Sequence, residues 1–149
     1  MPLRDPDNRG LLEYLASAGR DPRLLTAPEE GQRDPYLEAG SHPDVVARVW
    51  DELGAELPPG ARCLVLGTPA LFRAGTGTVL AVTLGTTYAL RVPGSRWDEA
   101  LALGAQQVHR YTAGSFTLDA GERFGRDWVF GLWAKPEAEW CREAYEGGL

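Results

Sequence analysis

The sequence predicts an α+β fold: an antiparallel sheet of about five to six strands packed with helices, preceded by an irregular N-terminal arm with one short helix. Three observations lead to this class. Apolar residues recur with a period of two over residues 64–92, with short glycine turns between them. Apolar residues at helical spacing follow start signals near residues 41 and 136. Asp-Pro pairs interrupt the first 40 residues, and proline disfavours helical backbone at the residue before it. We therefore divide the chain into the arm, residues 1–40, and a single α+β domain, residues 41–149.

The arm is expected to hold its helix between the first two Asp-Pro pairs. Asp7 or Asn8 can cap this helix, and Gly19 can end it. Its apolar stripe consists of Leu11, Leu12 and Leu15. Residues 20–40 have the composition of extended, irregular chain, which we expect to lie over the domain surface or over a partner.

A second helix is predicted to begin at Ser41, because its hydroxyl, Pro43 and the carboxylate of Asp44 form a helix-start pattern. The helix is predicted to end at Gly54. Its apolar positions are Val45, Val46, Val49, Trp50 and Leu53.

An antiparallel meander is predicted after this helix. The first strand covers residues 64–72 and has a bulge or edge irregularity at residues 67–69. Two further strands, residues 79–84 and 88–92, follow after glycine-containing turns.

The rest of the domain is predicted to alternate helices and strands. Ser95 starts a capping pattern for a short helix from Trp97 to Gly104, and Pro136 opens the last helix. Further strands are predicted at residues 107–112, 116–118 and 128–133, with a polar loop at residues 119–127.

Charge and targeting signals narrow the function classes. The 15 basic and 21 acidic residues give a net charge of −6, which disfavours a generic binder of the nucleic-acid backbone. No apolar run is long enough for a membrane span, and no secretory signal is visible, so we expect a cytoplasmic protein with no membrane partner. Cys63 and Cys141 lie in apolar patterns and are expected to be buried, reduced thiols.

No residue pattern predicts a catalytic centre, a metal site or a cofactor. The glycines at residues 75–77 precede a strand, whereas a dinucleotide fingerprint opens a helix. His42 and His109 are the only histidines, and no Cys-x-x-Cys pair occurs. Cys63 and His109 form the one Cys/His pair that could meet inside the sheet, and nothing in their spacing requires it.

Two sets of residues are candidates for binding. In the polar loop, Arg123 and Arg126 belong either to an ion-pair cluster or to a small-ligand site in which they grip an anionic group. His109 and Tyr111 lie two apart on the predicted neighbouring strand and would line the same pocket; the alternative is that His109 is a surface or half-buried structural histidine.

The second candidate is an aromatic surface. Trp128 and Trp133 are five residues apart on a predicted strand, so they point to opposite faces. One is expected to face the core, and the other faces outward, where it would mark a partner surface, or lies under the arm. The alternative is that the arm or the last helix covers both.

Part of the chain resembles the TfoX N-terminal domain and the YjbR/MmcQ proteins. The stretches that carry the resemblance are residues 67–71, 79–82 and 88–92, followed by 127–129 and 139–145, over about 100 residues in all. The resemblance implies a compact α+β fold, often described as DNA-binding-like, with members in competence regulation. The matched positions are core positions, so the resemblance implies no catalytic residue.

Three functions follow as hypotheses. The first is a non-enzymatic cytoplasmic interaction domain that binds a protein partner, and association with a second copy is also compatible with the sequence. The second, from the resemblance, is a DNA-associated regulator, although the net charge of −6 argues against nucleic acid as a partner. The third is a small-ligand binding protein or an enzyme that uses the 119–127 loop.

Overall fold

A six-stranded antiparallel sheet forms the centre of the chain in a computed structural model, which confirms the predicted α+β class. The structure describes residues 3–18, 22–28, 41–108, 112–113, 116–117, 124 and 127–148. The strands are β1 (Leu25–Thr26), β2 (Arg62–Val65), β3 (Thr68–Arg73), β4 (Thr78–Leu84), β5 (Thr87–Arg91), β6 (Thr112–Ala113), β7 (Phe116–Thr117) and β8 (Trp128–Phe130). The sheet has the order β1-β2-β3-β4-β5-β8, and β6 and β7 form a separate ribbon.

Four α-helices accompany the sheet in the described residues: α1 (Arg9–Ala18), α2 (Pro43–Ala47), α3 (Trp97–Ala102) and α4 (Pro136–Glu143). A π-helical segment, Arg48–Leu53, continues α2. The predicted helix of the arm, the helix after residue 41 and the last helix are thus confirmed. No described helix has the length and apolar character needed to cross a bilayer.

Both faces of the sheet are covered, which explains why both sets of alternating residues in β4 are buried. One face packs against α2, its π-helical continuation and α4; the sheet residues of this cluster include Leu64, Leu71, Leu80, Tyr88 and Leu90. The other face packs against the arm, which inserts Leu3, Leu11 and Leu15 among Val65, Val79, Val82 and Ala89. The described part of the arm is therefore one of the two layers over the sheet.

Asn8 fixes the arm to the sheet. It is fully buried, and its amide nitrogen donates to the carbonyl of Gly77 at 2.7 Å while its amide oxygen accepts from the backbone nitrogen of Val79 at 3.0 Å. Asn8 is thus a tertiary anchor and does not cap α1. Asp5 instead caps the preceding single turn, Pro6–Asn8, because its carboxylate accepts from the nitrogen of Asp7.

The predicted caps of two other helices are also wrong in detail. His42, rather than Ser41, caps α2, because its Nδ1 accepts from the nitrogen of Asp44 at 3.1 Å. Ser41 is buried and its hydroxyl pairs with Thr83 at 2.6 Å. Before α3, a single turn over Gly94–Arg96 leads into the helix without a side-chain cap.

The predicted strand over residues 64–72 is in fact a hairpin. Leu66 and Gly67 have φ angles of 49° and 82° and form a two-residue turn between β2 and β3. The meander therefore has four strands, β2 to β5, where the sequence predicted three. A leucine rarely adopts positive φ, so its position gave no turn signal.

The last predicted strand is shorter than expected. It ends at Phe130, and the chain then crosses the ring of Tyr88, where the nitrogen of Gly131 donates to the carbonyl of Tyr88 at 2.8 Å. On its other side, β8 pairs through the single bridge of Gln107 to Val129. The hairpin predicted around Ala113 is present as β6 and β7, while residues 109–111 lie outside the described residues.

Gly131→Ala should destabilise the fold by about 1–3 kcal/mol, because overpacking forces the backbone or a buried ring to move. A Cβ at this position would lie 2.1 Å from the Tyr88 ring. The measurement is urea unfolding at equilibrium. Gly60→Ala is the matched control, since a Cβ there meets nothing within 4 Å; equal stability of the two variants would contradict the prediction.

Candidate functional site

Trp133 is the large aromatic residue that the described fold leaves most open to solvent, at 50% exposure. Its backbone has a φ of 57°, in the left-handed region that non-glycine residues rarely adopt. Strain of this kind persists only where surrounding contacts enforce it, and it clusters at functional sites. The contacts around Trp133 are therefore the starting point for a site.

Tyr88 contacts both the backbone and the ring of Trp133. The Trp133 nitrogen donates to the Tyr88 hydroxyl at 2.9 Å, and the two rings meet edge to face with centroids 5.4 Å apart. The guanidinium carbon of Arg48 lies 5.7 Å from the centroid of the Trp133 ring. Backbone and side chain of Trp133 are thus both fixed by partners on the sheet and on the helix that follows α2.

Glu137 is the acceptor at the centre of this arrangement. It is completely buried in the first turn of α4 and accepts four hydrogen bonds. Arg48 Nη2 donates at 2.8 Å, the Leu132 nitrogen at 2.8 Å, the Ala134 nitrogen at 3.1 Å, and the Tyr88 hydroxyl at 2.5 Å. The carboxylate therefore fastens the chain on both sides of Trp133.

Arg48 completes the network. Its Nε donates to the Tyr88 hydroxyl at 3.2 Å, and its Nη2 also donates to the Ala134 carbonyl at 2.7 Å. Its Nη1 pairs with Glu52 at 3.0 Å. Burial lowers the pKa of Arg48, but hydrogen bonds to Tyr88 and Glu137 raise it by more, so the side chain stays charged.

The same contacts keep Tyr88 neutral. Burial raises the pKa of the Tyr88 hydroxyl, and its hydrogen bond to Glu137 raises it further, against a smaller opposing effect of Arg48. A phenol held this way is a poor general base at neutral pH. The network therefore positions the backbone of residues 132–134.

Beside Trp133 lies an open groove of about 470 Å³. Its lining consists of His42, Asp44, Val45, Ala47, Glu52, Thr86 and Trp133. The carboxylates of Asp44 and Glu52 are 86% and 55% exposed at its rim. With the Arg48–Glu137 pair beneath, one arginine and three carboxylates leave this surface negatively charged.

We name this area the Trp133 surface: the groove together with the exposed indole. It contains one of the two tryptophans that the sequence predicted as a partner surface. The other, Trp128, is 1% exposed, packs edge to face on Phe124 and lies under the guanidinium of Arg91. Trp128 is therefore the one of the two tryptophans that faces the core, and Trp133 is the exposed one.

The predicted ligand-binding residues Arg123, Arg126, His109 and Tyr111 lie outside the described residues. The ligand site that these four residues would form therefore stays a prediction, and so does the pairing of Cys63 with His109.

Sequence reasoning missed Arg48 and Glu137, although a signal was present. Arg48 lies three residues after Val45, and Glu137 three before Trp140, so each charged residue falls on the buried stripe of its helix. Two opposite charges on two apolar stripes indicate a buried pair.

Both cysteines are buried and free, as the sequence predicted for two reduced thiols. Burial raises the pKa of the Cys63 thiol well above its ordinary value and that of Cys141 to about 12. Neither thiol is ionised at neutral pH, so neither is an activated nucleophile. In the part of the chain that the structure describes, no three His, Cys, Asp or Glu side chains are grouped to hold a metal ion.

No protein-family model, curated protein or solved structure matches this chain. The resemblance to the TfoX and YjbR/MmcQ proteins therefore stays a prediction. The fold and the site rest on the chain's own residues.

Tyr88→Phe should lower the free energy of unfolding by about 1–3 kcal/mol, because Arg48 Nε and the Trp133 nitrogen lose their buried acceptor. Equilibrium urea unfolding measures the change. Tyr145→Phe serves as the control, because this partly buried tyrosine lies outside the network. A loss no larger than that of Tyr145→Phe would show that the hydroxyl contributes nothing.

Stability should fall at alkaline pH, in part through Tyr88. The pKa of Tyr88 in the folded chain lies above its ordinary value of 10.0, so the unfolded chain releases this proton first. The contribution of Tyr88 to the free energy of unfolding is fully present below pH 10.0, the ordinary pKa of tyrosine, and is lost as the pH rises towards the pKa of the folded chain. The comparison is the unfolding free energy of the wild type and of Tyr88→Phe at about pH 9 and about pH 11. Between these two pH values, the free energy of unfolding should fall more in the wild type than in Tyr88→Phe. Equal decreases would exclude Tyr88 as the titrating group.

Proposed function

We propose that this chain is a non-enzymatic interaction domain that binds a protein partner through the Trp133 surface. The observation that carries the proposal is an indole half exposed to solvent and held in a strained backbone by a buried ion pair. A fold that needed only stability would gain from relaxing this position. The strain supports a role for the exposed ring itself.

The energetics of interfaces support this reading. Tryptophan is among the residues that dominate binding energy when a partner covers them. Its ring here is held by Tyr88 and Arg48 before any partner arrives. Less side-chain freedom remains to be lost on binding, and such preorganisation improves affinity.

The charge of the surface indicates the chemistry of the partner. Asp44 and Glu52 flank the indole, and the whole chain carries a net charge of −6. A partner segment with lysine or arginine beside an apolar residue would complement both features. The same charge opposes a nucleic-acid backbone, so the DNA-associated role has no support from this surface.

The chemistry of the network supports binding over catalysis. Glu137 already accepts four hydrogen bonds, and the Tyr88 hydroxyl both donates and accepts. Neither Glu137 nor Tyr88 is among the residues that line the groove. An enzyme would need a reactive group there that the substrate can reach.

The proposal predicts that a basic, apolar peptide binds and that Trp133→Ala weakens binding at least tenfold, since a buried tryptophan anchor is worth about 2 kcal/mol or more. The probe is an array of short synthetic peptides in which lysine or arginine alternates with leucine or phenylalanine, beside charge-reversed copies. Binding is measured in solution by the fluorescence anisotropy of dye-labelled peptides, a signal that does not depend on the tryptophan that the variant removes.

Two variants control this experiment. Leu103→Ala removes another exposed apolar side chain, 47% exposed on the segment after α3, and should leave affinity unchanged. Asp44→Asn should weaken binding modestly and reduce its salt dependence. Equal affinity of wild type and Trp133→Ala, or a preference for the acidic peptides, would refute the proposal.

A further inference from the structure

A second concave site lies at the end of the sheet where the arm meets the turn between β3 and β4. It is a cleft of about 130 Å³, lined by Asp5, Asp7, Arg73, Thr76, Thr78, Arg91, Asp127, Ala144 and Gly147. The cleft and the groove beside Trp133 have no lining residue in common. The cleft is thus distinct from the proposed partner surface.

Arg91 is the unusual residue of the cleft. It is 2% exposed, yet its single hydrogen bond to a described residue runs from Nη2 to Asn8 at a long 3.3 Å. Among the described residues its Nε has no hydrogen-bond partner, and its Nη1 lies 3.9 Å from the Asp7 carboxylate, beyond hydrogen-bonding distance. A buried guanidinium whose donors lack acceptors is costly, and an acceptor placed in the cleft would lower that cost.

The neighbouring polar side chains Asp5 and Thr78 have little capacity left to accept a hydrogen bond from Arg91. Asp5 is already engaged, because it accepts from the Thr78 hydroxyl at 2.5 Å and from the nitrogen of Asp7 at 2.9 Å. Thr78 in turn pairs with Thr76 at 2.7 Å. Burial lowers the pKa of Arg91, and the charges of Asp5, Asp7 and Asp127 offset this only in part. The described carboxylates therefore compensate the Arg91 charge at a distance, without a hydrogen bond to its guanidinium.

The charges are layered from inside to outside. Arg91 is buried and Arg73 is half-buried, while Asp7 and Asp127 are exposed. Two guanidinium groups and three carboxylates line the space. A simple anion would meet excess negative charge, and a simple cation would meet two arginines. A small molecule that carries both charges would satisfy both layers.

We propose that this cleft binds a small free amino acid of the size of glycine or alanine. The carboxylate accepts from Arg91 and Arg73, the bidentate pairing that guanidinium groups favour. The ammonium group lies towards Asp7 and Asp127 at the opening. The cleft, at about 130 Å³, has room for a molecule of this size.

The test is a titration of the full chain with alanine, with propionate as the carboxylate alone and ethylamine as the amine alone. Alanine should bind saturably in calorimetry and shift the NMR signals of the Asn8 side-chain amide and the Val79 backbone amide. Each half-molecule should bind at least tenfold more weakly. Propionate binding as tightly as alanine, or no saturable alanine binding, would overturn the proposal.

Variants at the edge of the cleft avoid the folding cost of replacing Arg91. Arg73→Gln and Asp127→Asn should each weaken alanine binding at least fivefold. Arg62→Gln removes an arginine paired with Asp51 away from the cleft and should bind normally, as should Trp133→Ala. Wild-type affinity in both cleft variants would place the alanine elsewhere and defeat the assignment, whatever the outcome for the partner surface.

Discussion

Coverage of both faces of one sheet is the constraint on which the fold depends. Every residue of β4 is buried, so the chain must supply two apolar layers over a sheet that is mostly local hairpins. The helices after residue 41 supply one layer. The other layer includes the N-terminal segment, and Asn8 together with Asp5 sets its register against the start of β4. The arm is consequently a structural component of the domain.

The buried ion pair under Trp133 has a different role from the apolar layers. Exchanging a buried pair for apolar residues is often neutral or stabilising, so its presence is weak evidence for stability. The Arg48–Glu137 pair instead fixes the path of the backbone. The carboxylate of Glu137 accepts hydrogen bonds from the backbone amides of residues 132 and 134 and from the hydroxyl of Tyr88. The chain leaves the sheet after Phe130 along a path that these bonds define. Specificity of backbone geometry, rather than added stability, is the best account of this pair.

The sequence predicts the fold well where the signal is local. Period-two alternation locates β4 and β5, and the proline at residue 136 locates the start of α4. It fails where a residue adopts a conformation that its type does not announce, as at Leu66 in the β2–β3 turn and Trp133 after β8. The sequence pattern alone predicted Trp133 to lie on the last strand, but this strand, β8, ends at Phe130.

The two candidate sites could be predicted to different extents. The sequence offered one of two tryptophans as an exposed aromatic without deciding which, and the buried pair could have been found from charged residues on apolar stripes. The burial of Arg91 could not be predicted, because it depends on Asn8 and Asp7, more than 80 positions earlier in the chain, and on Trp128, well after it. Contacts of that range follow from how layers stack and leave no trace in local periodicity.

The left-handed backbone at Trp133 has an evolutionary consequence. Glycine or asparagine tolerates such a conformation better than tryptophan does, so neutral drift towards greater stability would replace the indole. In descendants that no longer need recognition at this position, the aromatic ring should disappear while Arg48, Tyr88 and Glu137 persist to hold the loop. Co-retention of all four would mark lineages under selection for the surface, and loss of the tryptophan alone would mark lineages released from it.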